Sequence, residues 1–207
     1  MKKATTLVFD FGGVIINLKE EIDWLQQDLL PHFNHHKLLH LQQKGYFKDL
    51  ETGKVHTSEF LHEMQNIATV EDNSTENIKK HWNAILKDIP QHRVQLLQRL
   101  KQKYNLVLLS NTNAIHVEAF QAYMHTTFGE DVLETNFHTV NYSQNIGMRK
   151  PAKEIYEFIQ EQQGVKGSEI IFFDDKTENL IEPQKLGWKT VQVPYNQFTS
   201  TLIENLL

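Results

Sequence analysis

The sequence contains no cysteine among its 207 residues, and only five prolines and nine glycines. The first absence excludes disulfide bonds and thiol catalysis, and the scarcity of the other two residues excludes a collagen-like or low-complexity chain. No apolar run approaches the roughly 18 residues of a membrane-spanning helix. The apolar stretch that follows Lys2 and Lys3 is too short for a secretory signal. We therefore expect a cytoplasmic protein with no membrane partner.

Basic residues are also few, with 21 Lys and Arg against 26 Asp and Glu and a net charge of −5. A chain of this sign lacks the basic surface that binding to a phosphate backbone requires, so we expect no nucleic-acid partner. The remaining composition, 40% hydrophobic and 23% charged, is ordinary for a globular protein. The sequence predicts no particular oligomeric state.

Short apolar runs separated by helical patterns indicate the fold class. The runs predict five strands, at residues 6–11, 106–109, 137–142, 170–173 and 190–194. Three of them are continuously apolar, which is typical of parallel strands covered on both faces. The alternation predicts an α/β fold with a doubly wound parallel sheet.

Residues 17–87 break this alternation because they contain no convincing strand. Their apolar residues recur at helical spacing instead, as at Phe60, Met64 and Ile67. We therefore predict an inserted all-helical cap over 17–87, and a catalytic core formed by 1–16 and 88–207. In this cap we expect Trp24 and Trp82 to be core residues, and one of Tyr46 and Phe47 is a candidate for the wall of a pocket.

Polar residues follow several of the predicted strands at the edge where ligands bind in open α/β sheets. They are Asp10, Ser110 with Asn111, Lys150 after a loop, and the pair Asp174 and Asp175. A single carboxylate at a strand end would be unremarkable, since it often only caps a turn. Several strand ends that meet at one edge predict a shared site.

These residue types suit one kind of chemistry. A cluster of carboxylates suits Mg²⁺, which prefers oxygen ligands. A serine hydroxyl and the next backbone N–H can donate to a phosphoryl oxygen, and Lys150 is a point charge suited to phosphate. An aspartate can attack phosphorus and form an aspartyl-phosphate. We also expect Pro151 to occupy the first position of a helix, which would place Lys150 at that helix N-terminus.

The chain resembles the haloacid dehalogenase (HAD) superfamily of aspartate-nucleophile phosphohydrolases. The motifs that carry the resemblance are Asp10-Phe11-Gly12-Gly13-Val14, Ser110-Asn111, Lys150 and Asp174-Asp175, in that order. More narrowly, residues 8–16, 110–113, 143–155 and 172–180 resemble the small bacterial alpha-D-glucose-1-phosphate phosphatases. The resemblance implies a Rossmann-like HAD core with a helical cap.

The resemblance also implies roles for individual residues. Asp10 would be the nucleophile and would bind Mg²⁺ together with the backbone carbonyl of Gly12 and the carboxylate of Asp175. The phosphoryl group would be held by Ser110 and the backbone of Asn111, and Lys150 would bridge it to Asp10. Asp174 would be an accessory ligand, with Asn179 in support of the metal site.

One position departs from the family pattern. Most phosphatases of the superfamily carry a second aspartate two residues after the nucleophile, as general acid/base, where this chain has Gly12. Protonation of the leaving group contributes about 10²–10⁴-fold in rate. Three explanations stay open: a leaving group that needs little help, such as the anomeric oxygen of a hexose 1-phosphate; a proton from another group or water; or a poor enzyme.

The sequence therefore predicts a Mg²⁺-dependent phosphomonoesterase for a small phosphorylated metabolite, above all a sugar phosphate such as glucose 1-phosphate. A 2-haloacid dehalogenase, which needs no metal, is one alternative. A catalytically weak binding or regulatory protein is another, on the evidence of Gly12. The histidines around His36 and His40 are interpreted as a polar helix face rather than a metal site, since no carboxylate motif accompanies them.

Overall fold

The computed structural model describes residues 5–204 of the chain. Its strands form one parallel sheet in the order β3-β2-β1-β4-β5. They are β1 (Thr6–Phe9), β2 (Asn105–Ser110), β3 (Thr139–Tyr142), β4 (Ile170–Asp174) and β5 (Lys189–Gln192). The predicted doubly wound α/β fold is confirmed. The first strand is shorter than predicted, because the chain turns at Asp10 and Phe11 accepts the backbone hydrogen bonds of Ile15 and Ile16.

Apolar side chains of the central strands alternate between two hydrophobic clusters, one on each face of the sheet. Leu7 and Phe9 belong to one cluster, whereas Val8 between them belongs to the other, and all three are fully buried. Strands that are buried on both faces need apolar residues at every position. This requirement explains why β1, β2 and β4 appear in the sequence as continuous apolar runs.

Helices cover both faces of the sheet. From Gln91 onward, the helices are α6 (Gln91–Lys101), α7 (Ala114–Phe128), α8 (Val132–Asn136), α9 (Ser143–Ile146), α10 (Lys153–Gln163), α11 (Thr177–Lys185) and α12 (Ser200–Glu204), with a 3₁₀ turn at Gly167–Glu169. Helices α6, α7 and α8 contribute to the cluster that holds Phe9, and α10 and α11 contribute to the cluster that holds Val8. None of the helices between residues 5 and 204 combines the length and the apolar character of a membrane span.

The segment between β1 and α6 is helical throughout its regular structure. It comprises α1 (Glu21–Trp24), a π-helical turn (Leu25–Leu29), α2 (His35–Gln43), α3 (Tyr46–Glu51), α4 (Thr57–Ile67) and α5 (Thr75–Asn83). These helices share a third hydrophobic cluster, centred on Phe60, Met64 and Trp82, to which α7 adds Ile115. The two connections between this helical segment and the sheet run side by side, because Asn17 N donates to Asp88 O at 2.8 Å. The assignment of 17–87 as a separate cap domain stays a prediction.

Candidate active site

Asp10 stands directly after β1, the central strand of the sheet. Its Oδ1 accepts a hydrogen bond from the backbone N–H of Phe11 at 2.7 Å and contacts Lys150 Nζ at 2.8 Å. Its Oδ2 accepts no hydrogen bond from the part of the chain that the structure describes. One oxygen of this carboxylate is therefore fixed, and the other faces the site.

Lys150 is buried, with 1% of its side chain exposed, and its ammonium lies between two carboxylates. Nζ is 2.8 Å from Asp10 Oδ1 and 2.7 Å from Asp174 Oδ2. Burial alone would lower the pKa of Lys150, but the two carboxylates raise it above its ordinary value. Lys150 is therefore a permanent positive charge at the floor of the site, and an ammonium this deeply buried needs such partners.

Asp174 anchors this arrangement. Its Oδ1 accepts from the backbone N–H of Lys176 at 2.8 Å and from Asn179 Nδ2 at 2.9 Å, while Oδ2 bonds Lys150. The carbonyl of Asn179 in turn accepts a hydrogen bond from the Tyr156 hydroxyl at 2.8 Å. With both oxygens engaged by protein donors, Asp174 is suited to hold Lys150 and the β4–α11 turn in place.

Asp175 differs from its neighbour because its Oδ1 is buried and has no hydrogen-bond partner among the described residues. Ligand atoms of Asp10, Asp174 and Asp175 all lie within 4.8 Å of one another. One buried ammonium does not balance three carboxylates. Burial, opposed by Lys150 and reinforced by the neighbouring carboxylates, raises the pKa of Asp10 to about 7, and burial together with Asp174 also raises that of Asp175.

These observations fit a divalent cation. The donors are oxygen atoms of the kind that Mg²⁺ prefers, and the unpartnered Asp175 Oδ1 offers a ligand atom that the protein itself does not use. Within residues 5–204, these three aspartates are the one group of His, Asp or Glu side chains arranged to hold a metal ion. The histidines near His36 and His40 form no such group.

Ser110 and Asn111 lie at the end of β2, next to Asp10, and both line the same cavity. The Asn111 side chain holds the backbone of Lys150 from both sides: Nδ2 donates to Lys150 O and Oδ1 accepts from Lys150 N, each at 2.9 Å. The expectation for Pro151 is wrong, because α10 begins only at Lys153. It is Asn111, not the N-terminus of a helix, that positions Lys150.

Gly12 lies in the turn after β1, where the family pattern has its second aspartate. A Cβ atom built on Gly12 would lie 2.8 Å from Leu18 Cδ1, so a larger residue at position 12 would require the leucine side chain to shift. At Gly13, φ is +71° and a Cβ would lie 3.0 Å from Asp175 Oδ2. Glycine is thus required at position 13 by backbone conformation and by contact.

A cavity of about 520 Å³ opens above these residues. Asp10, Ser110, Lys150 and Asp175 line its floor. The helical segment supplies much of its wall, including the aromatic residues Trp24, Phe47 and Trp82. Trp24 and Trp82 pack edge to face with ring centroids 5.2 Å apart, as expected for core residues, yet both also face the cavity.

The sequence did not point to two further features of the cavity wall. Arg149 Nε bonds Glu51 Oε2 at 2.8 Å and so joins α3 to the loop before Lys150. His116, in the first turn of α7, also lines the cavity. Arg149 lies in the segment 143–155 that carries the closer resemblance, but its partner Glu51 is far away in the sequence. His116 lies outside all the segments that carry the resemblance.

The fold and the site together define a class of protein. A doubly wound parallel sheet presents three carboxylates, a buried lysine and a serine at the carboxyl ends of its strands, beneath a cavity of small-molecule size. These features are typical of α/β enzymes that act on small molecules, and the residues of the site suit a metal ion and an anionic group.

Comparison with known proteins identifies the family. The model of the haloacid dehalogenase-like hydrolases matches residues 4–184. The chain is 28% identical over 189 residues to D-ribitol-5-phosphate phosphatase of Bacteroides thetaiotaomicron, which covers 90% of each chain. It also resembles two solved structures. The HAD family enzyme BT-2542 of the same species, in complex with magnesium and inorganic phosphate, is 29% identical with a TM-score of 0.81, over 96% of this chain and 98% of that one. A HAD-like family hydrolase of Porphyromonas gingivalis is 26% identical with a TM-score of 0.84, over 99% and 98%.

The chain therefore belongs to the haloacid dehalogenase-like hydrolase family. The sequence-based prediction of a HAD-like hydrolase is confirmed, and the Bacteroides relative is a phosphatase.

Proposed function

We propose that this protein is a Mg²⁺-dependent phosphomonoesterase that hydrolyses a small sugar phosphate through an aspartyl-phosphate on Asp10. The observation that carries the proposal is the position of the Lys150 ammonium between two carboxylates. Nζ lies 2.8 Å from Asp10 Oδ1 and 2.7 Å from Asp174 Oδ2, at the floor of the cavity. Attack on a phosphoryl group requires a carboxylate oxygen that is free to act as nucleophile and a positive charge beside it. Asp10 Oδ2 and Lys150 provide these two groups.

In the first step, Asp10 Oδ2 attacks phosphorus and the bond from phosphorus to the leaving-group oxygen breaks, with its electron pair passing to that oxygen. Asp10 Oδ1 stays fixed by Lys150 and by the backbone N–H of Phe11, so the nucleophile is oriented before the substrate arrives. In the second step, water attacks phosphorus and the bond from phosphorus to Asp10 Oδ2 breaks, with its electron pair returning to the carboxylate. The proton of the water leaves with the inorganic phosphate. Lys150 and Ser110 are placed to stabilise charge on the phosphoryl oxygens.

The residues that would hold Mg²⁺ are Asp10, the backbone carbonyl of Gly12, and Asp175. When bound, the ion supplies Lewis-acid stabilisation of the negative charge at the phosphoryl group. The related Bacteroides structure, which is in complex with magnesium and inorganic phosphate, supports the choice of magnesium as the metal ion.

The leaving group is the finer part of the proposal. Gly12 provides no carboxyl group, and Leu18 fills the space beside it with apolar atoms. An oxygen that departs there receives no proton from this position, so the enzyme is suited to leaving groups of low basicity. The anomeric oxygen of glucose 1-phosphate is such a group. The primary alcohol oxygen of ribitol 5-phosphate, by contrast, departs poorly without an acid.

Phosphate release separates these substrates. We expect glucose 1-phosphate to have a larger kcat/KM than ribitol 5-phosphate, and release to require Mg²⁺ and to disappear in Asp10→Asn. The opposite order of the two substrates would refute the leaving-group argument while leaving the phosphatase intact. Release of halide from 2-haloacids that survives a chelator would instead make the protein a dehalogenase. A folded protein that binds Mg²⁺ but releases neither product would be a binding protein.

A series of substituted phenyl phosphates tests the absent acid directly. Without protonation, kcat/KM falls steeply as the leaving phenol becomes more basic, because negative charge develops on the departing oxygen. We expect such a steep dependence. A shallow dependence would contradict the proposal and show that another group or a water molecule delivers the proton.

A further inference from the structure

His116 lies at the boundary between the motif that follows β2 and the helical segment. It is in the first turn of α7, three residues after Asn113, whose side chain caps the helix by accepting from the backbone N–H groups of Ile115 and His116 at 3.1 Å. The capped turn fixes the backbone position of His116. Because Ser110 precedes the same turn, His116 is held at a short distance in sequence from the phosphoryl-binding residues.

The ring of His116 is held by two residues at the end of α5. Nδ1 lies 2.7 Å from Asn83 Oδ1, and the ring stacks on Trp82 with an interplanar angle of 7° and a centroid distance of 5.8 Å. Since Asn83 Oδ1 can only accept, Nδ1 carries the proton. The other ring nitrogen, Nε2, then presents a lone pair.

Nε2 of His116 is free to meet a ligand. It has no hydrogen-bond partner among residues 5–204. Unlike the unpartnered side-chain atoms that are fully buried in the described chain, it keeps some accessible surface. His116 lines the same cavity as Asp10 and Ser110. The free nitrogen is therefore accessible from the cavity and not enclosed in the core.

The surroundings of the ring keep it an acceptor. Burial lowers the pKa of His116 to about 4, and no carboxylate opposes this effect. At neutral pH the ring carries no charge, so Nε2 accepts hydrogen bonds and does not donate them. It is also unsuited to replace the missing general acid at Gly12, because it holds no proton to give.

We propose that His116 is a specificity-determining residue whose Nε2 accepts a hydrogen bond from a hydroxyl group of the bound substrate. The aromatic wall formed by Phe47 and Trp82 provides the apolar contact for the carbon face of a polyol or sugar, and His116 provides the fixed polar contact. The substrate class is thus a phosphate ester that bears a free hydroxyl at a set distance from phosphorus. This inference rests on the proposed phosphatase function.

The first experiment uses the wild-type protein and varies the substrate. The parent compound is whichever of glucose 1-phosphate and ribitol 5-phosphate has the larger kcat/KM, and it is compared with its monodeoxy analogues. We expect removal of one particular hydroxyl to lower kcat/KM by about tenfold, the effect of one lost hydrogen bond. If no single hydroxyl matters, the proposal is wrong.

The second experiment varies the residue. His116→Asn removes the acceptor that faces the cavity, and His116→Gln places an amide oxygen near the position of Nε2. We expect His116→Asn to lose about tenfold on the parent compound, and to lose nothing further when the critical hydroxyl is also absent. His116→Gln should retain more activity than His116→Asn. His125→Asn, the same change at an exposed position of the same helix, is the matched control and should behave as wild type.

p-Nitrophenyl phosphate has no hydroxyl group outside its phosphate. It therefore distinguishes the loss of a contact with a substrate hydroxyl from a general loss of activity. We expect the two His116 variants to lose less of their kcat/KM on this compound than on the parent compound. An equal loss on this compound and on the parent would overturn the proposal in favour of a purely structural role for the ring. Hydrolysis of p-nitrophenyl phosphate without measurable turnover of either parent compound would also overturn it. Failure of the wild type on every compound would refute the proposed function and this inference together.

Discussion

Replacement of Lys150 by methionine tests the electrostatic core of the site through stability. Methionine keeps most of the side-chain volume but removes the ammonium that lies between Asp10 and Asp174. Loss of one partner from a buried ion pair costs about 3–5 kcal/mol, because the remaining charge stays buried without compensation. For a chain of this size, about 2–4 °C of Tm is lost per kcal/mol, so we expect Lys150→Met to lower Tm by roughly 6–20 °C.

The assay is thermal unfolding for Tm, with urea unfolding for the free energy, both in the presence of a chelator so that no metal ion masks the effect. Lys153→Met is the matched control, since Lys153 pairs with Glu157 at 2.6 Å but is half exposed. Such a surface pair contributes about 0.5 kcal/mol or less. The double variant Lys150→Met with Asp174→Asn should recover part of the loss, because one of the stranded charges is gone. If Lys150→Met were as stable as Lys153→Met, Lys150 would not be the charge that holds the site together.

Three further predictions follow from other parts of the structure. Mg²⁺ at 100 times its Kd should raise the free energy of unfolding by about 2.7 kcal/mol, and Asp175→Asn should remove most of this gain in a titration followed by thermal melting. His116, whose pKa falls from 6.5 to about 4 on folding, contributes stability that is complete above pH 6.5 and is lost as the pH falls toward 4. The wild type should therefore lose up to about 2 kcal/mol more than His116→Phe between pH 7 and pH 5, and parallel curves would exclude a buried neutral histidine. Gly53→Ala should destabilise more than Gly45→Ala in urea unfolding, because both glycines have positive φ but only a Cβ at Gly53 would meet a backbone atom, the carbonyl oxygen of Gln144 at 2.6 Å; equal effects would mean that this contact relaxes without cost.

The elements that the sequence predicts well are those determined by local pattern. Strands β1, β2 and β4 are buried on both faces, so their apolar runs stand out from the surrounding helices. A parallel sheet then brings the residues after these strands to one edge, whichever helices connect them. For this reason the sequence predicts that Asp10, Ser110 and Asp174 lie close together.

Contacts that depend on the exact course of a loop could not be predicted. Proline after Lys150 suggests a helix start, yet α10 begins only at Lys153. The true positioning contact is the pair of hydrogen bonds from the Asn111 side chain, 39 positions away in the sequence. The resemblance implies a role for the backbone of Asn111 only, and nothing in the neighbouring sequence indicates that its side chain binds another loop.

The two halves of the cavity differ in how well the sequence predicts their residues. The proposed phosphoryl-binding half consists of residues that the sequence motifs contain. The proposed leaving-group half consists of His116 from α7, its partner Asn83 from α5, and Leu18 from the connection after β1. No fixed spacing links these residues.

Gly12 shows how a contact that no motif predicts can bear on function. In the sequence, Gly12 is only a missing aspartate, which is equally consistent with an inactive protein and with an undemanding substrate. In the structure, the space beside it is filled by Leu18 Cδ1, 2.8 Å from where a Cβ would lie. The side chain nearest to this position is apolar and offers no proton to a departing oxygen, which supports the proposed leaving group of low basicity. The choice of substrate would then depend in part on Leu18, a residue that no motif contains.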